Sequence, residues 1–126
     1  MTTITLFHFS GTGNTTALAQ LYEQALTERG CQVHHHFIDV ALIESVGQEP
    51  LASQLAASDW IGLGYPVHAF GPPRILFELV RNLPLGHNQP VFAFKDAGDY
   101  LWQGGSTQRL RTALLERGYV VRHEAF

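Results

Sequence analysis

The stretch that decides the fold is Phe9-Ser10-Gly11-Thr12-Gly13-Asn14-Thr15. It joins an apolar run from Thr3 to Phe9, which predicts a strand, to a helical pattern from Asn14 to Arg29. Its glycines let consecutive N–H groups turn inward, its hydroxyls add donors, and the helix N-terminus adds a partial positive charge. The context therefore favours a phosphate site over a simple helix-capping turn. Because the turn holds no lysine or arginine, it suits a phosphate monoester better than a nucleoside triphosphate.

Strand-like and helix-like patterns alternate along the rest of the chain. Strands are predicted over Gln32 to Ile38, Trp60 to Leu63, Pro90 to Phe94 and Tyr119 to Val121. Three further helices are predicted: one opened by Pro50, one between Pro72-Pro73 and Pro84, and one between Ser106 and Gly118. Parallel strands need crossover helices, so the order predicts an α/β fold with a doubly wound parallel sheet and helices on both faces.

Composition limits the classes of function. The chain has 126 residues, the size of one domain (1–126), and a net charge of -3, which argues against a nucleic-acid partner. The apolar run from Ile4 to Phe9 is too short to cross a membrane or to form a signal-peptide core. The single cysteine, Cys31, favours a reducing cytoplasm and excludes a cysteine-ligated cluster within the chain.

The turn after the first strand resembles the signature with which flavodoxins bind the phosphate of flavin mononucleotide (FMN). The stretch Gly64 to Gly71 resembles the flavodoxin-like half of flavodoxin–ferredoxin fusion proteins. This resemblance implies a five-stranded sheet in the order 2-1-3-4-5, FMN as cofactor, and the carriage of one or two electrons. It also implies a redox partner protein, either a ferredoxin domain or a reductase.

The resemblance assigns cofactor-binding residues to three loops. The phosphate turn supplies Ser10, Gly11, Thr12, Gly13, Asn14 and Thr15. The loop after the third strand supplies Pro66, Val67, His68, Ala69, Phe70 and Gly71, which would face one side of the flavin ring. The loop after the fourth strand supplies Ala97, Gly98, Asp99 and Tyr100 at the pyrimidine edge. Tyr100, rather than Trp102, is the expected stacking partner, and His68 is either a ring neighbour or a solvated loop residue.

Two features depart from the family pattern. The tryptophan that many flavodoxins place on the inner face of the ring has no counterpart in the second loop. The sequence also stops at Phe126, without the final helix that packs beside the first one in flavodoxins. We therefore expect a chain truncated at its C-terminus, or a sheet face covered by a further domain or by another subunit.

The histidines invite a metal site, but their spacing argues against one. In a strand, neighbouring side chains point to opposite faces, so only His34 and His36 of the triplet share a face, and no third ligand is evident. We expect His8 to be a hydrogen-bonded core residue.

The leading hypothesis is an FMN-binding electron-transfer domain with no catalytic residue of its own. Two alternatives remain: an FMN-dependent oxidoreductase acting on a quinone or NAD(P)H, and a flavin-free interaction or regulatory module with the same fold.

Overall fold

The computed structural model describes residues 1–10, 14–66, 72–96 and 107–125, with the side chains of all of these except Asn14 and Asp96. The strands are β1 (Thr3–His8), β2 (Gln32–Phe37), β3 (Trp60–Pro66), β4 (Gln89–Asp96) and β5 (Tyr119–Ala125). The helices are α1 (Asn14–Glu28), α2 (Val40–Ser45), α3 (Leu51–Ala56), α4 (Arg74–Asn82) and α5 (Gln108–Glu116). None of the helices in these four ranges is long and apolar enough to span a membrane.

The five strands form one parallel sheet in the order β2-β1-β3-β4-β5, which confirms the predicted topology. The chain passes outward from β1 to β2 and then crosses back to β3 on the other side of β1. The switch in strand order therefore lies between β1 and β3, where ligands of such sheets bind beyond the carboxyl ends.

Four helices pack on one face of the sheet, and the main hydrophobic core lies between them and the strands. Buried residues of α2, α3, α4 and α5 join those of the strands in one apolar cluster. In α4 the predicted stripe is confirmed, because Leu76, Leu79 and Val80 are buried and Ile75 packs partly against the same cluster. The helix ends at Asn82 because Leu83 is extended, as a residue before proline prefers.

Helix α1 lies on the opposite face, the only helix there among the described residues, over a smaller core of Leu6, Ala19 and Phe94. The sequence predicted that Leu18, Leu21 and Ala25 would face inward. Leu21 is instead 63% exposed and Ala25 is exposed, so that prediction was wrong for both. The inner side runs through Thr15, Ala19, Tyr22 and Leu26, which also recur at helical spacing. This buried side was not recognised in the sequence because its first residue, Thr15, is polar.

An aromatic layer covers the centre of the α1 face. The Phe94 ring stacks on Tyr22 with 4.5 Å between centroids, and Phe92 and Trp60 continue the layer, with 6.3 Å between their centroids. These rings need bare backbone beneath them, because a Cβ added at Gly62 would lie 2.6 Å from Phe92 Cζ. An apolar hollow of about 290 Å³ remains beside Trp60 and Phe92.

Several element boundaries differ from the predictions, and β4 (Gln89–Asp96) is longer at both ends than the predicted Pro90 to Phe94. Helix α2 was not predicted; it begins where the Asp39 carboxylate accepts a hydrogen bond of 2.8 Å from the Leu42 N–H. Strand β3 continues to Pro66 and β5 to Ala125, beyond their predicted ends at Leu63 and Val121. The predicted helix cap at Ser106 lies outside the described residues.

Candidate functional site

The strand ends that lead into the three predicted loops meet at one edge of the sheet. His8 at the end of β1 pairs with Gly64, and Pro66 at the end of β3 pairs with Asp96 at the end of β4. The chain leaving β1 stays attached to β3 through a hydrogen bond of 2.9 Å from the Phe9 N–H to the Gly64 carbonyl. The loops after β1, β3 and β4 therefore start beside one another, as a shared binding site requires.

The N-terminus of α1 stands at this edge and has the donor chemistry of a phosphate site. The helix begins at Asn14 and its first turn contains no acidic residue. Thr15 is 1% exposed, and Ser10 is half-buried where the chain leaves β1. The N–H groups of the first turn of a helix have no partner within the helix, and together with hydroxyl groups they are a favourable environment for an anion such as a phosphate monoester.

The structure covers only part of the predicted cofactor site. Ser10, Asn14, Thr15 and Pro66 are described, and they lie at the carboxyl edge of the sheet as expected. The remaining predicted contacts lie outside the described residues: Gly11, Thr12, Gly13, Val67, His68, Ala69, Phe70, Gly71, Ala97, Gly98, Asp99 and Tyr100. Their roles stay predictions.

A chain of hydrogen bonds runs from the first turn of α1 toward solvent. His8 Nε2 lies 3.1 Å from Thr16 Oγ1, and His8 Nδ1 lies 2.7 Å from His35 Nε2. His35 Nδ1 lies 2.8 Å from Glu23 Oε1. The expectation that His8 is a hydrogen-bonded core residue is thus confirmed. Burial, reinforced by the neighbouring His35, lowers the pKa of His8 to about 4.

Nothing in the sequence pattern indicated His35 or Glu23. The pair expected to share a face was His34 and His36, yet the middle histidine is the one that turns toward α1. His36 instead bonds Gln54 Oε1 at 2.8 Å. Within the described ranges, no group of three histidine, cysteine or carboxylate side chains could hold a metal ion. Alternation along β2 places His35 on the face opposite to His34 and His36, but only the register, in which His35 pairs with Leu6, brings it to the same face as His8.

A second polar cluster lies at the same edge on the opposite face of the sheet. Lys95 near the end of β4 is only 3% exposed, and its Nζ lies 3.9 Å from Glu124 Oε1. Arg111 of α5 forms an ion pair with Glu124. Burial, and secondarily Arg111, lowers the pKa of Lys95. Burial raises the pKa of Tyr65, whose hydroxyl has no hydrogen-bond partner in the described part of the chain. This cluster places two cations beside the start of the loop that follows β4.

Comparisons with known proteins identify the fold. No protein-family model and no curated protein matches the sequence. A flavodoxin from Megasphaera elsdenii is 22% identical, with a TM-score of 0.69 over 97% of this chain and 83% of that one. Flavodoxin 2 from Bacillus cereus is also 22% identical, with a TM-score of 0.64 over 98% and 84% of the two chains. The flavoenzyme FerB from Paracoccus denitrificans, an NAD(P)H:(acceptor) oxidoreductase, is 14% identical, with a TM-score of 0.69 over 97% and 75%.

The chain therefore has a flavodoxin-like fold, one that flavodoxins share with flavin-dependent oxidoreductases.

Proposed function

We propose that this chain binds FMN non-covalently at the carboxyl edge of its sheet and carries electrons. One observation supports this above the others: the N-terminus of α1, free of acidic side chains and with Thr15 buried in its first turn, stands beside the switch between β1 and β3. Bound FMN would supply the redox chemistry, while the chain binds its phosphate and positions its ring. The position of this helix terminus suits an anionic group of that size.

Titration of the purified chain with FMN and with riboflavin tests the proposal. We expect FMN to change its visible absorption spectrum on binding and to bind at least 100-fold more tightly than riboflavin, because charged hydrogen bonds to phosphate each contribute about 1.5–3 kcal/mol. Equal calorimetric affinities for the two compounds would contradict the phosphate site. A protein that binds neither compound would favour the flavin-free interaction module.

An FMN-dependent oxidoreductase is a second candidate, and a basic groove between α4 and α5 favours it. The groove encloses about 490 Å³ and is bordered by Arg74, Arg81 and Arg109. The Arg109 guanidinium lies over the ring of Phe77, 5.6 Å from its centroid. Arg74 is partly neutralised by Glu78 at 3.7 Å. NAD(P)H carries both the phosphates that guanidinium groups bind and flat rings that stack on aromatic side chains.

Matched charge variants test this second candidate. If the groove binds the dinucleotide, the double variant Arg81→Gln plus Arg109→Gln should raise the KM for NADPH oxidation by the FMN-loaded protein about tenfold, on the scale of one lost charged hydrogen bond. The control, Arg29→Gln plus Arg122→Gln, removes the same charge from exposed positions outside the groove. Equal KM values, or no NADPH oxidation by the loaded wild type, would leave the electron carrier as the better function.

The partners and the location of the protein stay predictions. For the carrier, we propose a redox partner protein, either a ferredoxin domain or a reductase, in the cytoplasm. We also propose self-association or a covering domain over the α1 face, where the hollow beside Trp60 and Phe92 is lined with apolar groups. Sedimentation at increasing protein concentration tests self-association, and a concentration-independent monomer would contradict it.

A further inference from the structure

The hydrogen-bonded side chains of Thr16, His8, His35 and Glu23 connect the proposed phosphate site with solvent. Thr16 belongs to the first turn of α1, and helical side chains tilt toward the N-terminus of their helix. At the other end, the Glu23 side chain is 40% exposed, whereas that of His35 is 14% exposed. His8, in the middle, is 5% exposed. The Glu23–His35 end of these hydrogen bonds is therefore open to solvent, so a proton can enter or leave there.

The three contacts determine which atom donates in each hydrogen bond. An ionised Glu23 carboxylate can only accept, so His35 donates from Nδ1. A neutral His35 then accepts at Nε2, so His8 donates from Nδ1. His8 accepts in turn at Nε2, so the Thr16 hydroxyl donates to it. In this state Thr16 directs its proton away from the helix N-terminus and cannot donate to an anion there.

One additional proton at His35 reverses the direction of two hydrogen bonds, the one between His35 and His8 and the one between His8 and Thr16. Protonated His35 donates from both nitrogens, to Glu23 and to His8 Nδ1. His8 stays neutral but carries its proton on Nε2, and it now donates to Thr16 Oγ1. The Thr16 proton is thereby released to another acceptor. The extra charge rests on His35, beside the Glu23 carboxylate, because burial keeps His8 neutral down to a pKa of about 4.

We propose that His8, His35 and Glu23 couple binding of the FMN phosphate to the uptake of a proton, and that they do so by reversing the hydrogen bond between His8 and Thr16. The inference rests on the proposed FMN site. A phosphate at the N-terminus of α1 favours the state in which Thr16 can donate and in which positive charge lies nearby. Because coupling between binding events is reciprocal, lower pH then strengthens FMN binding.

Among the described residues that contact His8 and His35, Glu23 is the one with a charged side chain. In the described part of the chain, the two imidazoles of His8 and His35 contact each other across β1 and β2. Thr16 and Glu23 contact them from α1, and the ring of Phe37 lies beside His8, with 5.2 Å between the ring centroids. His36 bonds Gln54 of α3 and does not take part. Replacement of Glu23 by glutamine therefore removes the countercharge that favours a protonated His35.

Calorimetry in buffers of different ionisation enthalpy measures the protons taken up when FMN binds. We expect Glu23→Gln to take up fewer protons near pH 7 than the wild type, by up to about one per FMN. The pH dependence of its affinity should be correspondingly flatter, by up to about tenfold per pH unit. The control is Glu28→Gln, which removes the same charge from an exposed position of the same helix and should match the wild type. The titration of the FMN phosphate itself, near pH 6, is common to all three proteins and cancels.

Nitrogen-15 NMR of the imidazoles provides a test on the wild type alone. The His8 proton should lie on Nδ1 in the free protein and move to Nε2 when FMN is bound. An unchanged His8 tautomer, or equal proton uptake by Glu23→Gln and Glu28→Gln, would overturn the coupling while leaving the FMN site intact. Failure of FMN to bind at any pH would refute the proposed function and this inference together.

Discussion

The ring of Phe94 lies directly over Gly64, its register partner on the neighbouring strand, so closely that a Cβ on Gly64 would overlap the ring. The same ring is 1% exposed and stacks on Tyr22 of α1. A backbone without a side chain on β3 thus permits an aromatic ring of β4 to fill the space beneath α1. The smaller core depends on this pair.

Gly64→Ala should destabilise the protein by about 1–3 kcal/mol, because the added methyl group overlaps a buried ring and displaces it. Chemical denaturation followed by circular dichroism measures the change in the free energy of unfolding. Phe94→Leu supplies the control, since the double variant Gly64→Ala plus Phe94→Leu should lose less than the sum of the two single variants. Additive losses would show that the two residues do not interact.

Thr15→Val should weaken FMN binding about 10- to 100-fold while leaving riboflavin binding unchanged, because it keeps the buried shape and removes one hydroxyl near the phosphate. Isothermal titration calorimetry gives both affinities. Thr27→Val, at an exposed position of the same helix, is the control and should have no effect. A loss of affinity for riboflavin equal to that for FMN would place Thr15 away from the phosphate.

The buried His8 should make the protein less stable as the pH falls. In the unfolded chain its pKa is the ordinary 6.5, whereas in the folded chain it is about 4, so the unfolded state binds more protons between these values. The stabilisation is fully present above about pH 6.5, and up to about 3 kcal/mol of it disappears as the pH falls to 4. His8→Gln should show a correspondingly smaller decrease in the free energy of unfolding over this range. Parallel pH profiles for wild type and variant would contradict the assignment.

Tyr100→Ala should weaken binding of oxidised FMN by about 1 kcal/mol, the usual contribution of an aromatic pair beyond its buried area. An aromatic face repels the added electron density of the reduced ring, so the reduced form should lose less and the midpoint potential should rise. Potentiometric titration and quenching of flavin fluorescence measure both effects. If Trp102→Ala changes these quantities and Tyr100→Ala does not, the stacking residue is Trp102.

Local patterns were sufficient to predict most of the fold. The apolar stripe of α4 and the prolines and glycines around the helices are signals carried by neighbouring residues, and they located all five strands and four of the five helices. They failed for α1, where Leu21 and Ala25 were assigned to the core. Single leucine and alanine side chains on the surface are normal, because apolar atoms make up much of a folded protein's surface. Which side of α1 packs against the sheet therefore depends on the strands beneath it.

The phosphate turn could be predicted from the sequence because the chemistry on which the prediction depends lies within a few consecutive residues. Glycines, hydroxyls and the start of a helix act through the local backbone, so their meaning does not depend on distant contacts. The Thr16–His8–His35–Glu23 chain is different. Its members meet only because β1 and β2 pair in one particular parallel register and because α1 crosses above them. Likewise, nothing near Gly64 in the sequence indicates that a ring from β4 will lie upon it. The sequence alone determined the order of all the elements except α2, and it predicts a phosphate turn. Strand register and helix placement decided which buried groups touch, because both depend on contacts between residues far apart in the chain.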